Sequence, residues 1–341
     1  MQPSMVAEFS AGAPSCLRSP KKAPCGFSVS PECDILRPVL KEKKERNWSE
    51  ILTTLPSFAW LTVFFVVPTL IVFGIAFHGP SADGGFAPGI TMETWNAVIR
   101  TPYKEIVWRT IWISAATTFI CILLSLPCAY AIARMTVKWR AVVAGLIMLP
   151  FWTSFIVRVF AWRTLLNPEG FLQHILTALG IVSPGVTLNY NSGAILVVSV
   201  YSFLPFAIMP IYTAAEKFDF SLLEAARDLG AKSFFAFRKI FLPGVRRGVI
   251  SAILMVFIPA IGSYVIPDLV GGRDSELIGN KIYQRTFPDR NLPHASALAA
   301  ITGFSVLVPL ACVAWWLKRQ DEREEKRLAA VAAHKPSGGT A

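Results

Sequence analysis

The chain has 341 residues, of which 53% are hydrophobic and only 16% are charged, and its mean hydropathy is +0.49. Soluble domains carry about 25% charged residues, so these values exclude a soluble globular protein, and the long uncharged blocks exclude a disordered chain, a coiled coil and a secreted disulfide scaffold. The net charge is +11, but no patch of Lys and Arg with interleaved aromatics lies outside the apolar blocks, so we expect no nucleic-acid partner.

The first 50 residues are polar and contain eight Lys and Arg residues. A cleavable secretory signal needs its apolar stretch within the first 15–30 or so residues, and none is present there. We therefore expect residues 1–50 to be a disordered cytoplasmic tail. The sequence has no CxxC pair and only four histidines, so we expect no metal site.

Six blocks contain the roughly 20 mainly apolar residues that a helix needs to cross a hydrocarbon core about 30 Å thick. Prolines lie in or beside most of these blocks, and membrane helices tolerate them when neighbours satisfy the freed carbonyls. The sequence therefore predicts an all-α integral membrane protein with six transmembrane helices in a lipid bilayer. The blocks are Leu55–Phe77, Ile106–Ala133, Ala141–Leu165, Gly193–Ala214, Val249–Val270 and Ala295–Leu317.

The charges between the blocks predict the orientation. Of the 33 Lys and Arg residues, 24 fall on one side of the predicted membrane, in segments 1–50, 134–140, 215–248 and 318–341. Because Lys and Arg accumulate in cytoplasmic loops, both termini are predicted to lie in the cytosol. An even number of spans agrees with this orientation.

The loop between the fourth and fifth blocks predicts a helix–turn–helix. Ser221 and Glu224 have the spacing of a capping box, Gly230 offers a left-handed stop, and a second segment, Lys232–Ile240, follows. The first helix has a small apolar face, formed by Leu222, Ala225, Ala226 and Leu229. Such a face allows close docking into a partner's groove, although an ordinary amphipathic cytoplasmic loop is an equal alternative from this pattern alone.

The sequence of this loop resembles the signature of ABC-importer permeases. That signature is the triplet EAA, followed after three residues by G and after nine more residues by I-x-LP. The matching residues are Glu224, Ala225, Ala226, Gly230, Ile240, Leu242 and Pro243. The resemblance covers about residues 50–318 and implies a type I importer permease fold with cytosolic coupling helices in Ser221–Pro243, hereafter the EAA loop. It implies a membrane domain over 51–318, with a type-1 core at about 105–317, between tails at 1–50 and 319–341.

Three further segments, 149–162, 262–272 and 278–280, resemble the spermidine/putrescine subgroup of these permeases. Two positions depart from the pattern: Ser263 stands where that subgroup commonly has an acid, and Arg246-Arg247-Gly248 replaces a common Pro-Gly. The resemblance implies polyamine import. Another small cationic or amino-containing solute, such as an opine or an amino acid derivative, is the second expectation.

The chain contains no GK[ST] tripeptide, so it has no Walker A loop and the energy must come from another polypeptide. We expect a transport subunit without catalytic residues or a cofactor of its own, in the inner membrane. The resemblance implies a cytosolic ATPase dimer that binds ATP, a second permease subunit of different sequence and a periplasmic solute-binding protein. A secondary transporter, the main alternative, would need intramembrane acids, and the blocks have essentially none away from their ends. For a channel or a membrane enzyme the sequence offers neither a selectivity-filter loop nor an HExxH motif.

A polyamine pathway needs acidic partners and aromatic faces, because desolvated cation–π contacts contribute up to about 2 kcal/mol. The candidates are Trp152, Tyr201, Tyr264, Asp268 and Glu276. The alternative for the aromatic residues is an interfacial or lipid-facing belt. Arg158 lies inside the third block, and we expect it to be paired with a carboxylate or with the C-terminus of a helix.

Overall fold

The computed structural model describes residues 48–81, 84–101, 103–180 and 187–308, together with Ala311, Trp315 and Arg319. Most of the predicted N-terminal tail, the end of the predicted sixth span and the C-terminal tail lie outside these residues. Contacts divide the chain into two units, Met1–Pro68 and Thr69–Ala341. The described residues of the first unit are helical, and all packing reported below lies within the second unit.

Helices dominate the described residues, with one short two-stranded antiparallel sheet. The elements before the middle of the chain are helices α1 (Trp48–Ile75), α2 (Glu93–Arg100), α3 (Lys104–Ala133), α4 (Val137–Met148), α5 (Phe155–Leu165) and α6 (Phe171–Ala178), and strands β1 (His78–Pro80) and β2 (Phe86–Ile90). The later helices are α7 (Ser192–Glu216), α8 (Ser221–Asp228), α9 (Ser233–Gly244), α10 (Arg246–Gly262), α11 (Val265–Val270), α12 (Ile278–Thr286) and α13 (Leu292–Val308).

Helices α3, α7 and α10 pack against one another and form the core of the second unit. The buried residues of α10 include Gly248, Ala252, Val256 and Ala260, which recur every four positions and so form one ridge. Small residues allow membrane helices to approach closely, which replaces the hydrophobic driving force that lipid does not provide. At Gly248 an added Cβ would lie 2.6 Å from the Cβ of Ala214 on α7, so the crossing requires glycine.

Three described helices are long and apolar enough to cross a membrane, and they confirm the first, second and fourth predicted blocks. The third block is not one straight helix as predicted: Val137–Trp152 and Phe155–Leu165 bend by 86° at the break between them. The break follows a 3-10 turn at Leu149–Trp152 that contains Pro150. Because proline has no N–H to donate, the α-helical ladder cannot continue through this turn unchanged.

The fifth block is also interrupted. Helix α10 ends at Gly262, Ser263 is extended, and α11 starts at Val265. On its other side, α10 is bent by 73° against α9. The described part of the sixth block is α13, Leu292–Val308. The described residues thus contain three clear spans, or five if each bent pair is one span, and the count of six stays a prediction.

Candidate functional site in the EAA loop

The first helix of the EAA loop, α8, is held at its start by Asp219. The Asp219 carboxylate accepts a hydrogen bond from the backbone N–H of Ser221 at 2.9 Å, and the Ser221 hydroxyl also bonds to it; these bonds lower the pKa of Asp219. Ser221 is therefore the first helical residue, and it makes no capping contact with Glu224. The predicted capping box is wrong, because the aspartate two positions earlier already fills this role.

The end of α8 is a complete Schellman motif centred on Gly230. Gly230 has φ +86°, its N–H donates to the Arg227 carbonyl at 2.9 Å, and the N–H of Ala231 donates to the Ala226 carbonyl at 3.0 Å. This pair of bonds satisfies carbonyls that the helix end would otherwise leave without partners. The prediction of a left-handed stop at Gly230 is confirmed, and the last alanine of the EAA triplet is one of the two acceptors.

The two sides of α8 differ. Leu223 is buried and Ala226 is half-buried against the rest of the chain. The adjacent side is an exposed apolar stripe of Leu222, Ala225 and Leu229, with Leu222 53% and Leu229 89% exposed. The predicted apolar face therefore exists, except that Ala226 contributes to the inner side. An exposed leucine pair flanking an alanine is a surface that a partner's groove can cover.

Glu224 lies at the edge of a polar cavity of about 300 Å³ between α3, α8 and α9. Arg134, Arg227 and Ser233 also line this cavity. Within the described part of the chain no hydrogen bond or ion pair reaches the Glu224 carboxylate. An ion-pair role for Glu224 therefore requires a partner outside the described residues.

The second helix, α9, leads directly into the core. Its middle, Phe237–Phe241, is a π-helical segment, an irregularity that is frequent at functional sites. Ile240 and Leu242 of the I-x-LP motif are half-buried, and Pro243 is exposed at the last turn before the 73° bend into α10. The loop thus continues without a flexible linker into one of the three core helices.

An aromatic cluster that the motif did not predict anchors the EAA loop. Its members, the Tyr130 cluster, are Tyr130, Phe218, Phe220, Phe237 and Phe241. Phe241 is fully buried. The sequence signal was the density of phenylalanine around the motif, six between positions 218 and 241, but Tyr130 comes from α3 and gave no local signal.

The five candidate pathway residues do not form one cluster. Asp268 and Tyr264 are neighbours, since the Asp268 N–H donates to the Tyr264 carbonyl at 3.0 Å, but in the described ranges no side-chain hydrogen bond, ion pair or ring contact joins any two of the five. Trp152 is 89% exposed at the break after α4. Tyr201 on α7 packs against Trp162, with ring centroids 5.3 Å apart. Tyr264 stacks on Tyr283 at 5.1 Å, and Asp268 is exposed on α11.

Two of the segments that resemble the polyamine subgroup meet at the break between α10 and α11. Gly279 lies so close that an added Cβ would be 2.6 Å from the Ser263 carbonyl oxygen. The Asn280 side chain donates to the Tyr264 carbonyl at 3.2 Å and accepts from the Leu277 N–H at 3.4 Å. These contacts fix the interrupted backbone at Ser263 and Tyr264.

Glu276 is already neutralised by its neighbours. Lys281 forms an ion pair with its carboxylate, and Gln284 donates to it at 3.0 Å. Partial burial raises the pKa of Glu276, but the bonds from Lys281 and Gln284 outweigh it, so the pKa is lowered. Glu276 can therefore attract a cationic solute only in competition with Lys281.

Arg158 has a different partner from the one predicted. Its guanidinium lies over the rings of Phe151, 4.9 Å from the centroid, and Phe155, at 5.8 Å. Its buried Nε has no hydrogen-bond partner among the described residues. The prediction of a carboxylate or helix C-terminus is wrong, since aromatic faces beside the break take that place.

The chain matches the family model described as binding-protein-dependent transport system inner membrane component over residues 46–326. It is 34% identical over 264 residues to the spermidine/putrescine transport system permease protein PotB of Haemophilus influenzae. This alignment covers 77% of this chain and 92% of that protein. Its fold is similar to a bacterial ABC transporter involved in import of the acidic polysaccharide alginate, with TM-score 0.61, 17% identity and coverage of 82% of this chain and 99% of that chain. The fold is also similar to a bacterial alginate ABC transporter in complex with an alginate pentasaccharide-bound periplasmic protein. This match has a TM-score of 0.57 and 16% identity, and it covers 77% of this chain and 94% of that chain.

Proposed function

The chain belongs to the family of binding-protein-dependent transport system inner membrane components, and from this membership we propose that it is the permease subunit of an ATP-driven importer of polyamines. It is a multi-pass membrane protein and the transport subunit of its system. The observation that carries the substrate class is the similarity to a spermidine/putrescine permease over 92% of that relative's length.

A second candidate is import of another small cationic or amino-containing solute, such as an opine or an amino acid derivative. Two observations favour it. Ser263 offers a hydroxyl at the break between α10 and α11 where the polyamine subgroup commonly carries an acid, and Glu276 is paired with Lys281. A solute with several positive charges needs several acids along its path, whereas a solute with one positive charge needs fewer.

The proposed system contains three further components. A periplasmic solute-binding protein delivers the solute, a second permease of different sequence completes the pathway, and a cytosolic ATPase dimer provides the energy. We assign the exposed stripe of Leu222, Ala225 and Leu229 as the surface that contacts the ATPase. Glu224 lies at the edge of this surface, and Gly230 forms the turn that ends α8. Both termini and the EAA loop lie in the cytosol in this arrangement.

The transport cycle that we propose alternates two packings of the span bundle, one open to each side. Closure of the ATPase dimer moves α8, and α9 carries that motion into α10 through the bend before Arg246. Because Ile240 packs into the buried cluster that contains Ala133 of α3 and Ala215 of α7, the EAA loop moves with the spans and acts as a lever. ATP hydrolysis gives the cycle its direction.

The pathway residues are proposed from chemistry. Tyr264 and Tyr201 offer ring faces for an ammonium group, and Asp268 is an exposed carboxylate near the break. Trp152 is proposed as a contact at the break between α4 and α5. Glu276 is proposed as a site that the solute shares with Lys281.

Uptake into proteoliposomes tests the function. Calorimetry first measures which solute the binding protein binds. The chain is then reconstituted with its ATPase, its second permease and the binding protein, and the uptake rates of labelled spermidine, putrescine and a mono-cationic amino acid are compared. The polyamine proposal expects ATP-dependent uptake of spermidine or putrescine with the binding protein present. Uptake of only the mono-cationic solute would support the second candidate, and uptake without ATP would contradict both.

A further inference from the structure

The Tyr130 cluster connects the EAA loop to a helix that the loop does not join through the backbone. The ring of Tyr130 lies 5.1 Å from Phe241, 5.5 Å from Phe237 and 5.9 Å from Phe220, all in edge-to-face geometry. Edge-to-face contact at these distances is the favourable arrangement of aromatic pairs. One side chain of α3 therefore contacts two rings of the EAA loop, Phe237 and Phe241, and a third, Phe220, directly before the loop.

The backbone itself links the EAA loop to only two of the three core helices. The loop follows α7, and α9 continues into α10. Helix α3 lies far away in the sequence, yet it packs against both α7 and α10 in the core. Around the EAA loop, a motion of α8 and α9 reaches α3 through side-chain contacts. Tyr130 is the residue of α3 that makes the aromatic contacts among them.

The part of the cluster around Phe241 is tightly packed. Phe241 is fully buried and stacks on Phe237 at 5.1 Å. Phe218 packs on Phe241 at 5.4 Å, and its ring fills the space beside Gly244, where an added Cβ would be 2.4 Å from it. Close-packed groups transmit displacement because little free volume lies between them. Tyr130, Phe220 and Phe237 also line the polar cavity of about 300 Å³, so the tightly packed path from the EAA loop to α3 runs through Phe241.

The Tyr130 hydroxyl is bonded outside the EAA loop. It accepts a hydrogen bond at 3.0 Å from Arg134, the residue directly after α3, and the Arg134 guanidinium also lies over the Tyr130 ring, 5.7 Å from its centroid. The contacts with the phenylalanines of the cluster are made by the ring. Removal of the hydroxyl alone therefore leaves those ring contacts in place.

We propose that Tyr130 is a positioning residue whose ring transmits the movement of the EAA loop to α3, so that all three core helices change packing together. The proposal rests on the lever role proposed above and adds the residue that couples the third helix. It requires the ring and its volume, and does not require the hydroxyl.

The test compares Tyr130→Leu, which keeps apolar bulk but removes the ring, with Tyr130→Phe, which removes only the hydroxyl. Phe119→Leu is the matched control, since Phe119 lies on the same helix, α3, but is 67% exposed and outside both the cluster and the EAA loop. Each variant is reconstituted with the ATPase, second permease and binding protein, and uptake of labelled putrescine and spermidine is measured together with ATP hydrolysis. The informative quantity is the number of solute molecules imported per ATP hydrolysed, because loss of folded protein lowers uptake and hydrolysis equally and leaves this ratio unchanged.

The proposal expects the ratio to fall about tenfold in Tyr130→Leu, within the range of coupling energies between sites, and to stay at the wild-type value in Tyr130→Phe and Phe119→Leu. A wild-type ratio in Tyr130→Leu would overturn it, whether or not the amount of protein falls. A bulky Ala225→Trp variant separates this from the proposed function: if Ala225→Trp loses coupling and Tyr130→Leu does not, the lever stands and the Tyr130 role fails. If neither loses coupling, the lever role of the EAA loop fails.

Discussion

Replacement of Gly230 by alanine tests the turn that ends α8. Gly230 has φ +86° and nothing lies within 4 Å of the position of an added Cβ, so alanine meets no neighbour and its cost is purely conformational. A left-handed backbone costs an L-residue about 1–2 kcal/mol, and the reduced freedom of the open chain returns about 0.4–1 kcal/mol. Alanine therefore destabilises the closed turn by about 1 kcal/mol, which shifts the equilibrium between the closed and the open end of α8 roughly fivefold toward the open form.

Hydrogen–deuterium exchange measures this opening directly. The amides of Gly230 and Ala231 donate the two bonds of the Schellman motif, so their exchange in Gly230→Ala is expected to be about five times faster than in the wild type. Gly230→Asn, which tolerates the left-handed region, is expected to stay near the wild type.

Gly145→Ala is the matched control. Gly145 lies inside α4, has ordinary helical backbone and also has nothing within 4 Å of an added Cβ. Alanine there is expected to stabilise the helix by about 1 kcal/mol and to leave exchange in α8 unchanged. Equal exchange rates at Ala231 in Gly230→Ala and the wild type would refute the reasoning, because the strain of the left-handed turn would then be absent.

Three further predictions concern other parts of the chain. Gly248→Val should destabilise the α7–α10 crossing by about 1–3 kcal/mol through overpacking, measured as a lower Tm of the purified protein. Asn191→Ala should cost about 1 kcal/mol, because the Asn191 side chain caps α7 with a 2.8 Å bond; chemical unfolding measures it, and an unchanged midpoint would contradict it. The lowered pKa of Glu276 means that its pairing with Lys281 stabilises the protein above the ordinary carboxyl pKa and is lost as the pH falls through the lowered value. The Tm difference between wild type and Glu276→Gln should therefore be present at pH 7 and shrink below about pH 4, whereas a constant difference would contradict the pairing.

The sequence predicts the parts of this protein that depend on local patterns. Hydropathy locates the first, second and fourth spans, and the spacing of Gly230 after the EAA triplet predicts a left-handed turn that the structure contains. The capping box fails because Asp219 and Ser221 compete for the same helix start, and a spacing rule cannot decide between them.

The parts that the sequence does not predict depend on where the chain bends and on how its helices pack. The break before α5 lies between two apolar stretches, so a hydropathy profile shows one continuous apolar block. Tyr130 joins the EAA loop only through the packing of α3. Lys281 is five positions after Glu276, and the start of α12 between them brings the two side chains together, which the sequence spacing alone did not indicate. Arg158 likewise finds its aromatic neighbours through the bend of the chain.

Cross-linking from the exposed stripe of α8 tests the central claim most directly. Leu229 is 89% exposed, and a photo-reactive amino acid placed there reports which subunit covers it in the assembled importer. The account predicts a cross-link to the cytosolic ATPase whose yield changes between the ATP-bound and nucleotide-free states. A cross-link to the periplasmic binding protein, or no ATPase adduct in a complex that hydrolyses ATP and imports its solute, would contradict it.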